Sequence, residues 1–354
     1  MLMIFVILPL VSLLVAFLIA LLMGFLFAAF PILHEEPWRS IIVGAVVVTV
    51  SLLISVLMIY TERKVAARLH GRLGPYLVGK PHGWLQLIAD ALKMLLKEDI
   101  VPKRADKFLF NLAPILFVFS AILAFAVVPA DKGAVLLDWD LGILFILAVA
   151  GFPIIGNILA GFASNSKYPL ISAVRSAGVM LAYEVPLVLT ILVPVVLAGS
   201  FNLTEIVEAQ KGLAYIFVPV VGQVAFVIFL LTSLAETNRA PFDIAEAESE
   251  LVSGANVEYS GMKFGFFYLG EYIFHFISAI LIVIFFLGGW YGPLLPGWAW
   301  MVIKVYLVYV FLLLIRWTYT RYRLDQFITL AWKWLIPLSF LNFILAVLYK
   351  YFFM

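Results

Sequence analysis

Nine apolar runs, each about 20 residues or longer, divide the chain at residues 4–30, 41–60, 109–129, 141–161, 171–199, 213–235, 264–288, 301–319 and 334–353. No other feature limits the fold as strongly. Crossing the ~30 Å hydrocarbon core as a helix takes roughly 20 apolar residues, and in lipid only helices and closed barrels satisfy every backbone N–H and C=O. A barrel would show short strands alternating apolar and polar residues, which runs of this length do not. The expectation is an all-α integral membrane protein with about nine transmembrane helices, folded as one polytopic bundle over residues 1–354. Only 12% of the residues are charged, against about 25% in soluble domains. The net charge of +2 makes no case for nucleic acid. The run 4–30 lacks a basic flank and is too long for the apolar stretch of a signal peptide. It is read as a membrane helix, with an outer loop reaching residue 40.

Basic residues orient the bundle. Of the 23 Lys and Arg, eighteen fall on one set of alternate connections, from Arg63 to Lys333, and only Arg39, Lys132, Lys211, Lys304 and Lys350 fall on the other. The positive-inside rule puts the first set in the cytoplasm. Nine spans then leave the N-terminus inside and the C-terminus outside the membrane, with lipid around the bundle. Trp38, Trp139, Trp290, Trp298 and Trp334 lie near run ends, as interfacial aromatic belts do.

Two cytoplasmic connections stand out. The first, 61–108, contains GRLGPYLVGKPHG and then WLQLIADALKMLLKED. In the latter, Leu85, Ile88, Leu92 and Leu95 recur at helical spacing, with Gln86, Asp90, Lys93 and Lys97 elsewhere on the wheel. That pattern describes an amphipathic helix lying at the interface, covering a partner or packing on the bundle. The other, 236–263, gathers six of the 21 acidic residues: Glu236, Asp243, Glu246, Glu248, Glu250 and Glu258.

Ionisable groups within apolar runs cost ~2.5–3.5 kcal/mol on insertion scales, so they face the bundle interior and mark functional candidates. Glu184 sits two residues before Pro186, whose ring disturbs the helix ladder. Glu271 and His275 lie one turn apart on one face, a spacing that suits either a proton-relay pair or a hydrogen bond pinning helices. With Glu62 and Glu236 at run ends, these acids form a set running from the cytoplasmic surface into the bilayer. Burial tightens a carboxylate's hold on its proton, which a relay near neutral pH requires. Lys304 and Lys350 lie close to run ends and are read as snorkelling outward. The chain has no cysteine, hence no disulfide, thiolate-held zinc or iron–sulfur cluster of its own. Its four histidines lack metal-ligand spacing, and EAESE lacks the spacing of a calcium loop.

ETNRAPFDIAEAESELVSGANVEYSGMKF resembles the signature of the quinone-site membrane subunit of respiratory complex I, called H in bacterial NADH:quinone oxidoreductase and subunit 1 in mitochondria. ERKVAARLHGRLGP, LQLIADALKMLLKED, LAPILFVFSAILAFAVVP, LAGFASNSKYPLISAVRSAGVMLAYE, GEYIFHF and RYRLDQFITLAWKWLIPL extend the resemblance in order over roughly residues 41–350. It implies a subunit without a redox centre or cofactor of its own, in a proton-pumping enzyme whose FMN and iron–sulfur clusters lie in partner subunits. Quinone is its substrate. Peripheral quinone-site subunits and membrane-arm pumping subunits are its partners. By position, Glu62, Arg63, Arg68, Arg72, Asp90, Asp243, Glu246, Glu248 and Glu250 match charged positions of the quinone chamber and its entrance. Glu184, Glu236 and Glu271 match the acids of the proton relay, and His275 is added to them for its spacing from Glu271. Two departures stand out. Tyr76 and Leu77 replace the Asn-Arg pair of the usual GPNRVGP, with an extra residue placed at Lys80, and the run 4–30 precedes the usual eight spans. Related readings are the membrane anchor of a hydrogenase or of a quinone reductase fed by another donor. A stand-alone ion-coupled transporter would show two symmetric halves with broken helices, and no such repeat is present. A purely structural anchor leaves the buried acids unexplained.

Overall fold

A computed structural model describes residues 38–79, 82–132, 135, 137–243, 252 and 254–353, and the side chains of those residues from 44 onward. The expected helix at 4–30 lies outside them. Among the described residues there is no β-strand. Seven helical segments among the described residues are long and apolar enough to cross a membrane, and an eighth apolar helix there is shorter. These eight coincide with the second to ninth apolar runs. The described residues divide into two compact units between Asp90 and Ala91.

In the first unit, α1 (Trp38–Leu69) continues past the expected end of its span near residue 60. No Gly or Pro interrupts Ala45–His70, and Val65, Ala66 and Ala67 are buried, so the helix carries its charged end intact. The following loop folds back on it: Tyr60 Oη donates to the His82 carbonyl at 2.6 Å and Lys64 Nζ to that of Pro75. Gly83 has φ +73°, and a Cβ there would lie 2.5 Å from the Pro75 carbonyl; only glycine closes this turn. The expected amphipathic helix forms as α2 (Gln86–Leu96), which spans the division between units. None of its residues is buried, and Ile88, Leu92 and Leu95 stay exposed.

The second unit is built around α9 (Gly261–Phe286), most of whose residues are buried. It packs on α3 (Lys107–Ala126), which packs on α5 (Phe152–Ala163). Helix α3 starts where the Asp106 carboxylate accepts from the Phe108 and Leu109 N–H groups at 3.0 and 3.2 Å, satisfying two orphan donors. Helix α4 (Gly142–Ala150) precedes α5, and the two together make one span. Helix α6 (Lys167–Ala198) packs on α5 and runs through Pro186 and Pro194 to a left-handed Gly199 with φ +81°. After the short α7 (Leu203–Ala209), α8 (Val221–Glu236) packs on α6. Helix α10 (Gly297–Thr318) lies against α9, and α11 (Leu324–Leu330) continues through a π-helical turn, Ala331–Leu335, into α12 (Ile336–Phe353).

The sixth run, expected over 213–235, makes a single 3-10 turn at Tyr215–Phe217 and an α-helix only from Val221. Pro219 lacks an N–H, Val220 adopts φ +63°, and Gly222 rests directly on the Tyr215 carbonyl. The remaining 16 residues are about 24 Å long. Lys304 and Lys350 do more than snorkel. Lys304 Nζ donates to the carbonyls of Leu287, Gly289 and Tyr291 at 2.6–3.0 Å, and Lys350 Nζ to Val196 at 2.7 Å. Both complete carbonyls at or just beyond a helix C-terminus, where a cation is favoured.

Candidate functional site

At the charged end of α1, Glu62 is buried while Arg68 and Arg72 are exposed. Arg63 forms an ion pair with Asp90, which also accepts from Gln86 Nε2 at 2.9 Å. Both partners are partly exposed, so the pair adds little stability but fixes where α2 leaves the loop.

A second charged group lies inside the 91–354 unit. Glu236, Thr237 and Asn238 from the end of α8, Glu271 and Phe274 from α9, Phe117 from α3 and Pro153 from α5 line one cavity of about 20 Å³. That volume has room for one water. Helix formation up to Glu236 sets this arrangement. The chain then turns at Thr237 and Asn238 (φ +48°), whose N–H groups bond back to the Ser233 and Ala235 carbonyls. Asn238 continues a buried polar line, accepting from Ser176 at 3.5 Å, which accepts from Asn157 at 3.5 Å.

Arg239 enters beside this cavity and is 2% exposed. Its guanidinium pairs with Glu271 at 3.7 Å and lies over the Tyr272 ring at 4.5 Å. A cation this deeply buried requires opposite charge, and Glu271, whose side chain is 11% exposed, contributes some of it. Glu236 Oε2 is buried without a hydrogen-bond partner among the described residues. Glu184, on α6, lies within electrostatic reach of Glu236. His275 shares a face of α9 with Glu271, yet turns Nδ1 toward Thr237 Oγ1 at 3.5 Å. Its Nε2 is buried without a partner among the described residues. The Tyr309 ring of α10 packs edge-on against the imidazole at 5.2 Å. These groups can hold and pass protons; among the described residues none forms a group able to hold a metal ion.

Asp243 begins the acidic connection and pairs with Arg321 at 3.0 Å. Glu246, Glu248 and Glu250 lie outside the described residues. The far end of the connection is anchored firmly. Tyr259 stacks on Phe110 at 4.0 Å, Ser260 Oγ accepts from the Ile100 N–H at 3.0 Å and donates to the Glu98 carbonyl, and Lys263 pairs with Asp99 at 2.6 Å. Burial pushes the Tyr259 phenol above its ordinary range.

Sequence reasoning missed Thr237, Asn238 and the line through Ser176 and Asn157 as cavity groups, and gave Arg239 no part in the site. The available signal was a run of polar residues, Thr237 to Arg239, directly after an apolar helix.

A family model described as NADH dehydrogenase matches residues 41–347. The chain is 43% identical over 327 residues to the H subunit of NADH-quinone oxidoreductase from Bacteroides fragilis, spanning 88% of this chain and 90% of that protein. It is 44% identical over 311 residues to the same component from Geobacillus kaustophilus, spanning 87% and 92%. It is 46% identical over 296 residues to that of Bacillus thuringiensis, spanning 82% and 88%. All eight described membrane helices fall wholly or largely within the matched residues, as do the cavity and both ends of the acidic connection, and the chain therefore belongs to the NADH dehydrogenase family that these relatives represent.

Proposed function

We propose that this chain is the quinone-site membrane subunit of a proton-pumping NADH:quinone oxidoreductase. The observation that carries the mechanistic part is the pair of carboxylates, Glu236 and Glu271, on one buried cavity beside a buried arginine. A structural anchor has no use for such a costly group. In this reading the basic connections face the cytoplasm of a bacterial inner membrane. Residues Glu62, Arg63, Arg68, Arg72, Asp90 and Asp243, with Glu246, Glu248 and Glu250, border the quinone chamber and its entrance. Peripheral subunits supply FMN and iron–sulfur clusters, and membrane-arm subunits do the pumping.

Quinone reduction takes up two electrons and two protons at the head group, so charge near the chamber changes as quinol forms. Two carboxylates about 4 Å apart interact by about 4 kcal/mol at an effective dielectric near 20, or roughly a thousandfold in proton affinity. A protonation change at the acidic connection is therefore felt along Glu236, Glu184 and Glu271, with His275 beside them. In the assembled enzyme, Glu184→Gln is expected to slow quinone reduction and pumping together; full activity sinks the relay. Asp243→Asn should lower quinone turnover and leave NADH oxidation by an artificial acceptor intact. An equal fall in both activities means lost assembly instead.

A further inference from the structure

A helix often ends on glycine, because the residue after its last turn goes left-handed and glycine does so most freely. At the end of α8 that place belongs to Asn238, with φ +48°. Its N–H bonds to the Ala235 carbonyl and the next N–H, of Arg239, to that of Leu234, both at 3.1 Å. The backbone turn is complete without the side chain, which leaves the amide for another task. Its Oδ1 accepts from Ser176 Oγ at 3.5 Å, and its Nδ2 donates to Met180 Sδ at 3.6 Å. Ser176 Oγ in turn accepts from Asn157 Nδ2 of α5 at 3.5 Å. Ser176, Met180 and Glu184 recur every fourth residue and share one face of α6. Two residues before Asn238 stands Glu236, which feels the charge of Glu184. The amide link therefore lies beside the place where α6 and α8 bring two acids together.

We propose that Asn238 is a positioning residue: its amide, held by Ser176 and Met180 and braced by Asn157, fixes the Glu236 end of α8 against α6 and so sets the gap between Glu236 and Glu184. The proposal rests on the relay reading above and adds to it the group that sets the distance over which two of its acids interact. Coupling between charges falls with separation, and falls further as the effective dielectric rises in a widened gap. Freeing the end of α8 thus weakens the coupling of the two acids without removing either. Asn238 carries no charge and takes no proton; it acts through Glu236 and Glu184.

Asn238→Gly in the assembled enzyme is the informative change, because glycine keeps the left-handed turn and removes only the amide. The maximal rate of quinone reduction should fall about tenfold or more, since misplacing a reacting group by about 1 Å costs up to a hundredfold. The KM for quinone, the artificial-acceptor oxidation of NADH and the temperature of thermal inactivation should all stay unchanged. Ser176→Ala should reproduce the loss of rate, and Ser176→Thr, which keeps the hydroxyl, should retain most of the rate. The double variant Asn238→Gly/Ser176→Ala should be no slower than Asn238→Gly alone, as members of one link behave. If Asn238→Gly does not assemble, Ser176→Ala and Ser176→Thr decide the question from the α6 side. An unchanged maximal rate in either single variant overturns the proposal, as do losses that multiply in the double variant. A loss that lowers the inactivation temperature and the artificial-acceptor rate in step also overturns it, and marks the amide as a packing group alone. None of these results touches the relay, which stands or falls with Glu184→Gln.

Discussion

Gly270 offers a sharp test of the packing that holds the cavity. It lies on α9 next to Glu271, and a Cβ added there would sit 2.6 Å from Phe117 Cδ1 and 2.9 Å from Cε1. Carbon atoms prefer about 3.5–4.0 Å, so Gly270→Ala demands a shift of roughly 1 Å. The Phe117 ring cannot easily give way: it is 3% exposed and wedged against Phe267 and Phe274 at 5.4 and 6.4 Å. The strain passes to the α3–α9 contact, at about 1–3 kcal/mol for an overpacked core. Membrane helices rely on small residues at such close approaches, and both Phe117 and Glu271 line the cavity. Gly178→Ala is the matched control. Nothing lies within 4 Å of its added Cβ, and replacing a helical glycine by alanine gains about 0.5–1 kcal/mol. The assay is thermal inactivation of quinone-dependent NADH oxidation, with the artificial-acceptor rate as a check on assembly. Gly270→Ala should inactivate at a lower temperature than Gly178→Ala and lose quinone activity first. Equal behaviour of the two variants refutes the close α3–α9 contact.

Other outcomes follow from the same geometry. Lys304→Met removes three donors from carbonyls beyond α9 and should destabilise by about 3 kcal/mol, since charged hydrogen bonds contribute about 1.5–3 kcal/mol; Lys304→Arg should recover part of the loss in the same thermal assay. Tyr259→Phe should be neutral or slightly stabilising, because the phenol is buried without a partner among the described residues, whereas Tyr259→Leu loses a stack on Phe110 of about 0.5–1.5 kcal/mol. Burial raises the folded-state pKa of Tyr259, so its contribution to stability is complete below the unfolded value near 10 and is lost as pH rises toward the folded value. Tyr259→Phe should therefore tolerate alkaline pH better than the unsubstituted protein in unfolding scans. Asp99→Asn breaks a half-exposed pair with Lys263 and should cost less than about 1 kcal/mol, a difference measurable against Asp99→Asn/Lys263→Gln.

Much of the architecture is written in local pattern. Helices α1, α3, α6, α9, α10 and α12 each coincide with an apolar run, because membrane crossing is decided by length and hydropathy along one segment. What local pattern does not carry is where partners meet. The late start of α8 depends on Gly222 resting on Tyr215, a contact that hydropathy does not encode. Arg239 reads as a neighbour of Glu236 three residues back, yet it pairs with Glu271 from another helix. The spacing of Glu271 and His275 predicts a shared face, and they have one; that His275 turns to Thr237 depends on how α8 crosses α9. The acids Glu184, Glu236 and Glu271 were legible because charge is rare in lipid, and the cavity beside Glu236 and Glu271 was not, because a void belongs to packing.

The claim that this acid group couples quinone chemistry to proton movement is tested most directly in liposomes holding the assembled Glu236→Gln enzyme, by measuring proton translocation alongside quinone reduction. Both rates should fall together by about a hundredfold while artificial-acceptor oxidation of NADH continues. Undiminished proton translocation at the unsubstituted rate of quinone reduction contradicts the account.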